Sequence, residues 1–271
     1  MKKNEINLKR VKKLLLSTTV ILTIFLVSFG ITNYVLHKRR NIILKETDNK
    51  KNTKQTFDAN KYNLDKFDAK DVFKKDGKKL AFLTFDDGPS NTVTPRVLDI
   101  LKNYKINATF FVVGSLAENN KNLIKREVLE GHSIGNHTYS HNYKSIYSDT
   151  NVFINEVDKT QEILKNIIGE NYNIKLVRFP GGAFGEKFKP YKQVLEEKGY
   201  YYIDWNALNG DAEAQNVPKE KLIDNIKATT KDKNHVVILM HDGYCKETTV
   251  EALPYIIEYL KSQGYEFKAL K

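Results

Sequence analysis

The chain has 271 residues, enough for one large domain or two small ones, and its 41% hydrophobic content with 15 Tyr and 14 Phe suits a globular protein with a core. Its formal charge of +11 is unevenly spread: residues 1–78 carry 19 Lys/Arg against 8 Asp/Glu, and the remainder carries 25 of each. A neutral remainder removes the main electrostatic argument for binding DNA or RNA, and a single cysteine, Cys245, excludes an internal disulfide.

Residues 1–13 hold six Lys/Arg and read as a basic cytoplasmic segment. The uncharged run from Leu14 to Leu36 follows. At about 1.5 Å per helical residue it spans a hydrocarbon layer of roughly 30 Å with a little tilt. A cleaved signal peptide is the rival reading. The run is longer than a usual signal core, however, and no small-x-small cleavage site precedes His37-Lys38-Arg39-Arg40. The expectation is an uncleaved, single-pass anchor in the cell membrane with the rest of the protein extracytoplasmic. Residues 37–78 read as a polar stalk. Phe57, Tyr62, Phe67, Val72 and Phe73 stand among its charges and can strap onto the domain that follows, residues 79–271.

From Lys79 onward, apolar or β-branched runs alternate with helical patterns. The strand candidates are KLAFLTF, NATFFVV, SIGN, LVRF, YYIDW, HVVILM and YEFKAL. Helical candidates are TPRVLDILKNY, KNLIKREVLEG, VFINEVDKTQEILKNIIG, KPYKQVLEEKG, KEKLIDNIKATTK and VEALPYIIEYLKSQG, several of them closed by a glycine. This alternation predicts the α/β class with a parallel sheet covered by helices. A distorted or incomplete (β/α) barrel is favoured, and a doubly wound open sheet is second.

Polar residues fall where the apolar runs end. Asp86 and Asp87 follow AFLTF, His137 and His141 follow SIGN, Arg178 closes LVRF before Pro-Gly-Gly, Asp204 and Trp205 end YYIDW, and His241 with Asp242 ends VVILM. In a β/α barrel the C-terminal strand ends form the catalytic face, so five chain segments would deliver reactive groups to one rim. The four-residue spacing of His137 and His141 suits one face of a helical turn. The zinc-protease pattern fails because Thr138, not Glu, follows the first His. Two His and one carboxylate are nonetheless a common set for a divalent ion with open positions, and either Asp86 or Asp87 can be the third ligand. At the strand end, entering Gly88-Pro89, the backbone can rotate so that one carboxylate holds the ion while the other takes a proton from water. That division of labour is a hydrolase's. His241 can then protonate a leaving group, with Asp204 able to hold it, and Arg178 can fix the free aspartate. Gly181 and Gly182 leave N–H groups unshielded where an oxyanion could form. His132 reads as a loop brace, His235 as a strand cap and Cys245 as a free thiol. Tyr139, Tyr143, Phe184 and Tyr244 lie near these strand-end residues.

In order and spacing, TFDDGPS, HTYSH, RFPGG, DW and LMH resemble the five motifs of the polysaccharide deacetylase family, the NodB-homology carbohydrate esterases, over residues 79–271. The likeness is strongest to peptidoglycan N-acetylglucosamine deacetylases. It implies a distorted β/α barrel and one divalent metal, usually Zn²⁺ (Co²⁺, Ni²⁺ and Mn²⁺ suit the same donors), acting to remove N-acetyl groups from amino sugars. It further implies Asp86 as general base, Asp87, His137 and His141 as metal ligands, and Arg178 as the residue that orients Asp86. His241 would be the general acid tuned by Asp204, Trp205 and Leu239 would wall the acetyl pocket, and the Gly181 amide would face the oxyanion. Two departures stand out: the third motif often carries an aromatic residue where this chain has Gly181, and fuller fourth motifs carry an Asp where it has Tyr201. The expected partner is a cell-wall glycan. A chitin-like oligosaccharide, an O-acetyl ester as on xylan, or a glycan-binding protein without catalysis are the alternatives.

Overall fold

The computed structural model describes residues 66–169, 172 and 175–271. The expected anchor at 14–36 and most of the stalk lie outside these residues. Among the described residues, no helix is long and apolar enough to cross a membrane.

Among the described residues, eight strands run parallel: β1 Leu80–Gly88, β2 Thr109–Val112, β3 Ser133–Asn136, β4 Leu176–Val177, β5 Tyr201–Tyr202, β6 Ala207–Leu208, β7 His235–His241 and β8 Glu266–Phe267. Their order is β5-β4-β3-β2-β1-β7-β6, with β8 pairing the start of β1. Among the described residues β5 and β6 do not pair with each other, so the sheet curls into a half-barrel. The incomplete (β/α) barrel expected from the sequence is thus the observed class. Helices α1 Thr94–Tyr104, α2 Gly114–Asn119, α3 Lys121–Leu129, α4 Tyr143–Ile146, α5 Thr150–Ile168, α6 Lys189–Glu197, α7 Lys219–Thr230 and α8 Glu247–Ser262 connect the strands. The short helices α2 and α4 and the two-residue strand β6 have no counterpart in the sequence pattern.

Period-two alternation sorts the strands into two faces. Ala81, Leu83 and Phe85 of β1, with Val236, Ile238 and Met240 of β7, pack outward against Val97, Leu101, Leu253 and Ile257 of the helices. Leu80, Phe82, Phe111 and Val237 fill the interior of the curl with Ile203 and Leu270. Further along the same interior face come Thr84 and Asp86 of β1 and Leu239 and His241 of β7, paired in register as Thr84–Leu239 and Asp86–His241. The alternation that builds the core therefore carries the polar residues onto its inner rim.

The described part of the segment read as stalk is packed on the sheet. Phe67 bridges Leu270 in parallel, Val72 is fully buried, and the Lys66 ammonium donates to the carbonyl of His132. Phe73, by contrast, is exposed. His235, expected to cap its strand, ties this strap down: one ring nitrogen pairs with the Val72 carbonyl and the other with Asp76.

Candidate active site

Register brings the site together. Gly88 pairs with Val112, Val112 with Asn136, Asn136 with Val177 and Val177 with Tyr202, so the residues just beyond these partners share one rim. The β1 ladder slips between Asp86 and Gly88, and Asp87 takes a left-handed φ of +69°. Such a bulge re-aims a side chain that a regular strand would send to the opposite face. Both carboxylates consequently approach one imidazole: His137 Nε2 lies 3.9 Å from Asp86 Oδ2 and 3.4 Å from Asp87 Oδ1.

His141 Nε2 lies 3.1 Å from the same Asp87 oxygen, and donor atoms of Asp87, His137 and His141 all fall within 4.8 Å of one another. The imidazoles do not meet across a helical turn, as their spacing suggested. Residues 137–142 form a loop in which Thr138 and His141 have left-handed φ values of +66° and +53°. Its N–H groups find partners outside a helix. Asn136 Oδ1 accepts from Thr138 N at 2.9 Å, and Glu156 Oε2 of α5 accepts from Tyr139 N at 3.0 Å and Ser140 N at 2.6 Å. Glu156 escaped the sequence reading because it lies fifteen or more positions downstream, inside an ordinary amphipathic helix.

The donor set fits a cation on physical grounds. His137 Nδ1 is 2.8 Å from the carbonyl of Arg178, which can only accept, so a neutral His137 carries its proton there and turns the Nε2 lone pair toward Asp87. Asp87 Oδ1 is buried and has no hydrogen-bond partner. A lone pair facing a carboxylate oxygen repels it unless positive charge lies between them. Burial opposes ionisation of Asp87, but protonated rings at His137 first, then His241 and His141, would hold its carboxyl below the usual range, and with the ligand rings neutral a cation supplies that charge in their place. Burial and the neighbouring His137 lower the proton affinity of His141, leaving it neutral as a ligand must be.

Asp86 is nearly fully buried and sits 3.0 Å from Nη1 of Arg178. That guanidinium is wholly buried. It donates from Nη1 also to Thr84 Oγ1 at 2.6 Å and from Nε to the carbonyl of Ile203 at 3.0 Å, with Cζ 4.1 Å from the centre of the Phe111 ring. Burial weakens its hold on the proton, and the Asp86 charge opposes this.

The expected pairing of Asp204 with His241 does not occur. Asp204 Oδ1 accepts from Ala183 N at 3.0 Å and so supports the Gly181–Gly182 loop, and burial raises its pKa. His241 Nδ1 is instead 2.7 Å from Asp211 Oδ1, whose second oxygen accepts from His241 N and from Thr249 Oγ1. Strand order explains the exchange. Asp204 follows β5 at one edge of the sheet, whereas Asp211 follows β6, which pairs directly with β7 through Leu208 and Leu239. Burial works against the charged imidazole, but Asp211 overcomes it and raises His241 to about 9. The sequence signal was present: Asp211 lies shortly after a strand end, like the other site residues, but that strand has two residues.

Leu239 precedes His241 by two positions on the inner face. Trp205 is half-buried, with Arg178 Cζ 5.8 Å from its ring centre. Gly181 is exposed at φ +76°. Behind the site, Thr94 Oγ1 donates to Asp242 Oδ2 at 2.5 Å and Ser90 Oγ to the Asp242 carbonyl at 2.8 Å, pinning the Asp86–Ser90 loop to the segment after β7. His132, the remaining histidine among the described residues, accepts at Nδ1 from Ala108 N, in keeping with a brace.

The sequence model for polysaccharide deacetylases matches residues 73–203. A peptidoglycan-N-acetylglucosamine deacetylase of Listeria monocytogenes is 39% identical over 71% of this chain, which spans only 38% of that protein's length. A Bacillus cereus protein of the same description is 36% identical, with 70% of this chain and 85% of that protein aligned. The solved structure of a Streptococcus mutans CE4 esterase superposes with a TM-score of 0.72 at 34% identity, covering 78% of this chain and 94% of that one.

Proposed function

The chain belongs to the polysaccharide deacetylase family, and from that premise we propose that it hydrolyses N-acetyl groups on amino sugars of a cell-surface glycan, releasing acetate and a free amine. Peptidoglycan N-acetylglucosamine is the substrate this reading favours, as the names of the Listeria and Bacillus relatives suggest. The carrying observation is the convergence of Asp87, His137 and His141 beside an Arg178-held Asp86, with the His241–Asp211 pair on the neighbouring strand.

Asp86, ionised and fixed by Arg178, takes a proton from water as the water oxygen attacks the acetyl carbon. The carbonyl π electrons move onto oxygen, which in this reading accepts a hydrogen bond from the Gly181 N–H. As the oxyanion electrons re-form the carbonyl and the C–N bond breaks, His241, protonated and held by Asp211, delivers its proton to the amide nitrogen, so the amine leaves neutral with acetic acid, which ionises to acetate in solution. Asp87, His137 and His141 would hold a divalent cation, Zn²⁺ being the best match to these donors, and bound there it would supply positive charge that polarises the carbonyl and eases loss of the water proton. Trp205 and Leu239 wall the space for the acetyl methyl. The apolar run at 14–36 tethers this domain to the outer face of the cell membrane within reach of wall polymer.

Acetate release from peptidoglycan, N-acetylglucosamine oligomers and acetylated xylan, with native, chelated and metal-restored protein, tests the reading. Release from peptidoglycan that is lost on chelation and in Asp86→Asn supports it. Release from xylan alone would move the substrate to an ester, and no release from any glycan would overturn it.

A further inference from the structure

The loop Gly181–Gly182 is bare backbone beside the site, and an aromatic ring closes on each of its two glycines. A Cβ at Gly181 would stand 2.7 Å from Cε1 of Tyr143, and one at Gly182 would stand 2.5 Å from Cε2 of Phe184 and 3.0 Å from Cη2 of Trp205. Both glycines hold left-handed φ values, +76° and +82°, so side chains are disfavoured there on two counts. Tyr143 and Phe184 are nevertheless 50% and 55% exposed, so both offer apolar surface to solvent beside the site, as ligand-binding grooves do.

Neither ring is loose. Tyr143 meets the His141 ring edge-on at 5.1 Å, and Phe184 meets Trp205 edge-on at 5.3 Å. Four residues after Tyr143, the Tyr147 hydroxyl donates to the carbonyl of Pro180 at 2.7 Å, which locks helix α4 to the glycine loop. Each ring thus has one part spent on a site residue and about half left to solvent.

We propose that Tyr143 and Phe184 are the walls on which sugar rings flanking the reacting unit stack, so that the site reads a polymer rather than a single amino sugar. This rests on the deacetylase reading above. A pyranose offers a flat face of C–H groups that suits an exposed aromatic ring. The Gly181–Gly182 backbone between the contacts leaves the acetamido group free to reach the Gly181 N–H.

The test is acetate release from β-1,4-linked N-acetylglucosamine oligomers of one to five sugars by wild type, Tyr143→Ala, Phe184→Ala and Tyr143→Phe. Wild-type kcat/KM is expected to rise with length, and each alanine variant to lose about three- to tenfold on the pentamer, mostly through KM. The loss on the single sugar should be smaller, and Tyr143→Phe should restore length dependence. Equal losses at every length, or a loss explained by reduced metal content in Tyr143→Ala, would overturn the proposal while leaving the activity intact. If wild type releases no acetate from any glycan, the deacetylase reading falls first. Calorimetry then decides on stacking separately: weaker pentamer binding by both alanine variants supports it, and unchanged binding ends it.

Discussion

His241 and Asp211 form the closest imidazole–carboxylate pair at the site, 2.7 Å between Nδ1 and Oδ1, and they come from neighbouring strands' ends rather than from one motif. Asp211 also accepts from the His241 amide, so it sets both the charge and the position of the ring.

Replacing Asp211 with Asn should therefore move the alkaline limb of activity. His241 is raised to about 9, and a proton donor must be protonated, so activity falls as pH rises through that region. In Asp211→Asn the ring should drop toward about 6.5, shifting the limb down by as much as roughly two pH units. The sign for stability agrees: the pair's contribution is complete below about 6.5 and is lost as pH climbs through about 9. A kcat/KM profile whose alkaline limb stays in place would contradict the assignment.

Metal content should respond to the loop as well as to its ligands. His141→Ala should nearly abolish binding of Zn²⁺ or Co²⁺. Glu156→Ala, which strands the N–H groups of Tyr139 and Ser140, should weaken it by about tenfold. Equilibrium dialysis against a competing chelator measures both, and wild-type affinity in Glu156→Ala would remove that residue from the site's support.

Arg178 is fully buried and is the only residue hydrogen-bonded to Asp86 through its side chain among the described residues. Arg178→Met leaves a buried carboxylate uncompensated and should cost about 3–5 kcal/mol of stability. Adding Asp86→Asn should recover part of that loss, a coupling that urea denaturation of the single and double variants reads directly. Strictly additive losses would count against the pairing.

A chain beginning at Lys79 should be less stable than one beginning at Lys66. It loses the fully buried Val72, worth about 2 kcal/mol, and the packing of Phe67 on Phe82 at 5.2 Å between ring centres. Matching denaturation midpoints would assign residues 66–78 to the stalk after all.

Most of the long elements were legible because their pattern is local. Thr94–Tyr104 forms a helix over the residues its apolar spacing and Pro95 indicate, and the apolar runs ending at Phe85 and Met240 lie within β1 and β7. What could not be read was long-range. Asp204 and Asp211 are both acids beyond short strands, and only the order of those strands decides which meets His241. The four-residue spacing of His137 and His141 is compatible with a helix, yet side chains of Asn136 and Glu156 take the backbone donors that a helix would have used. Val72 reads as one of the residues that can strap onto the domain, but what it packs on depends on the far end of the chain, where Leu270 lies in the same cluster.

The Arg178 guanidinium spans from the end of β4 to Ile203 beyond β5 and to Thr84 and Asp86 on β1. It acts as a cross-brace whose far end is Asp86, the proposed proton acceptor. Competence for chemistry should therefore arrive late in folding, once both flanks of the curl have docked, and a partly assembled chain would hold its metal-loop residues before its base was aimed.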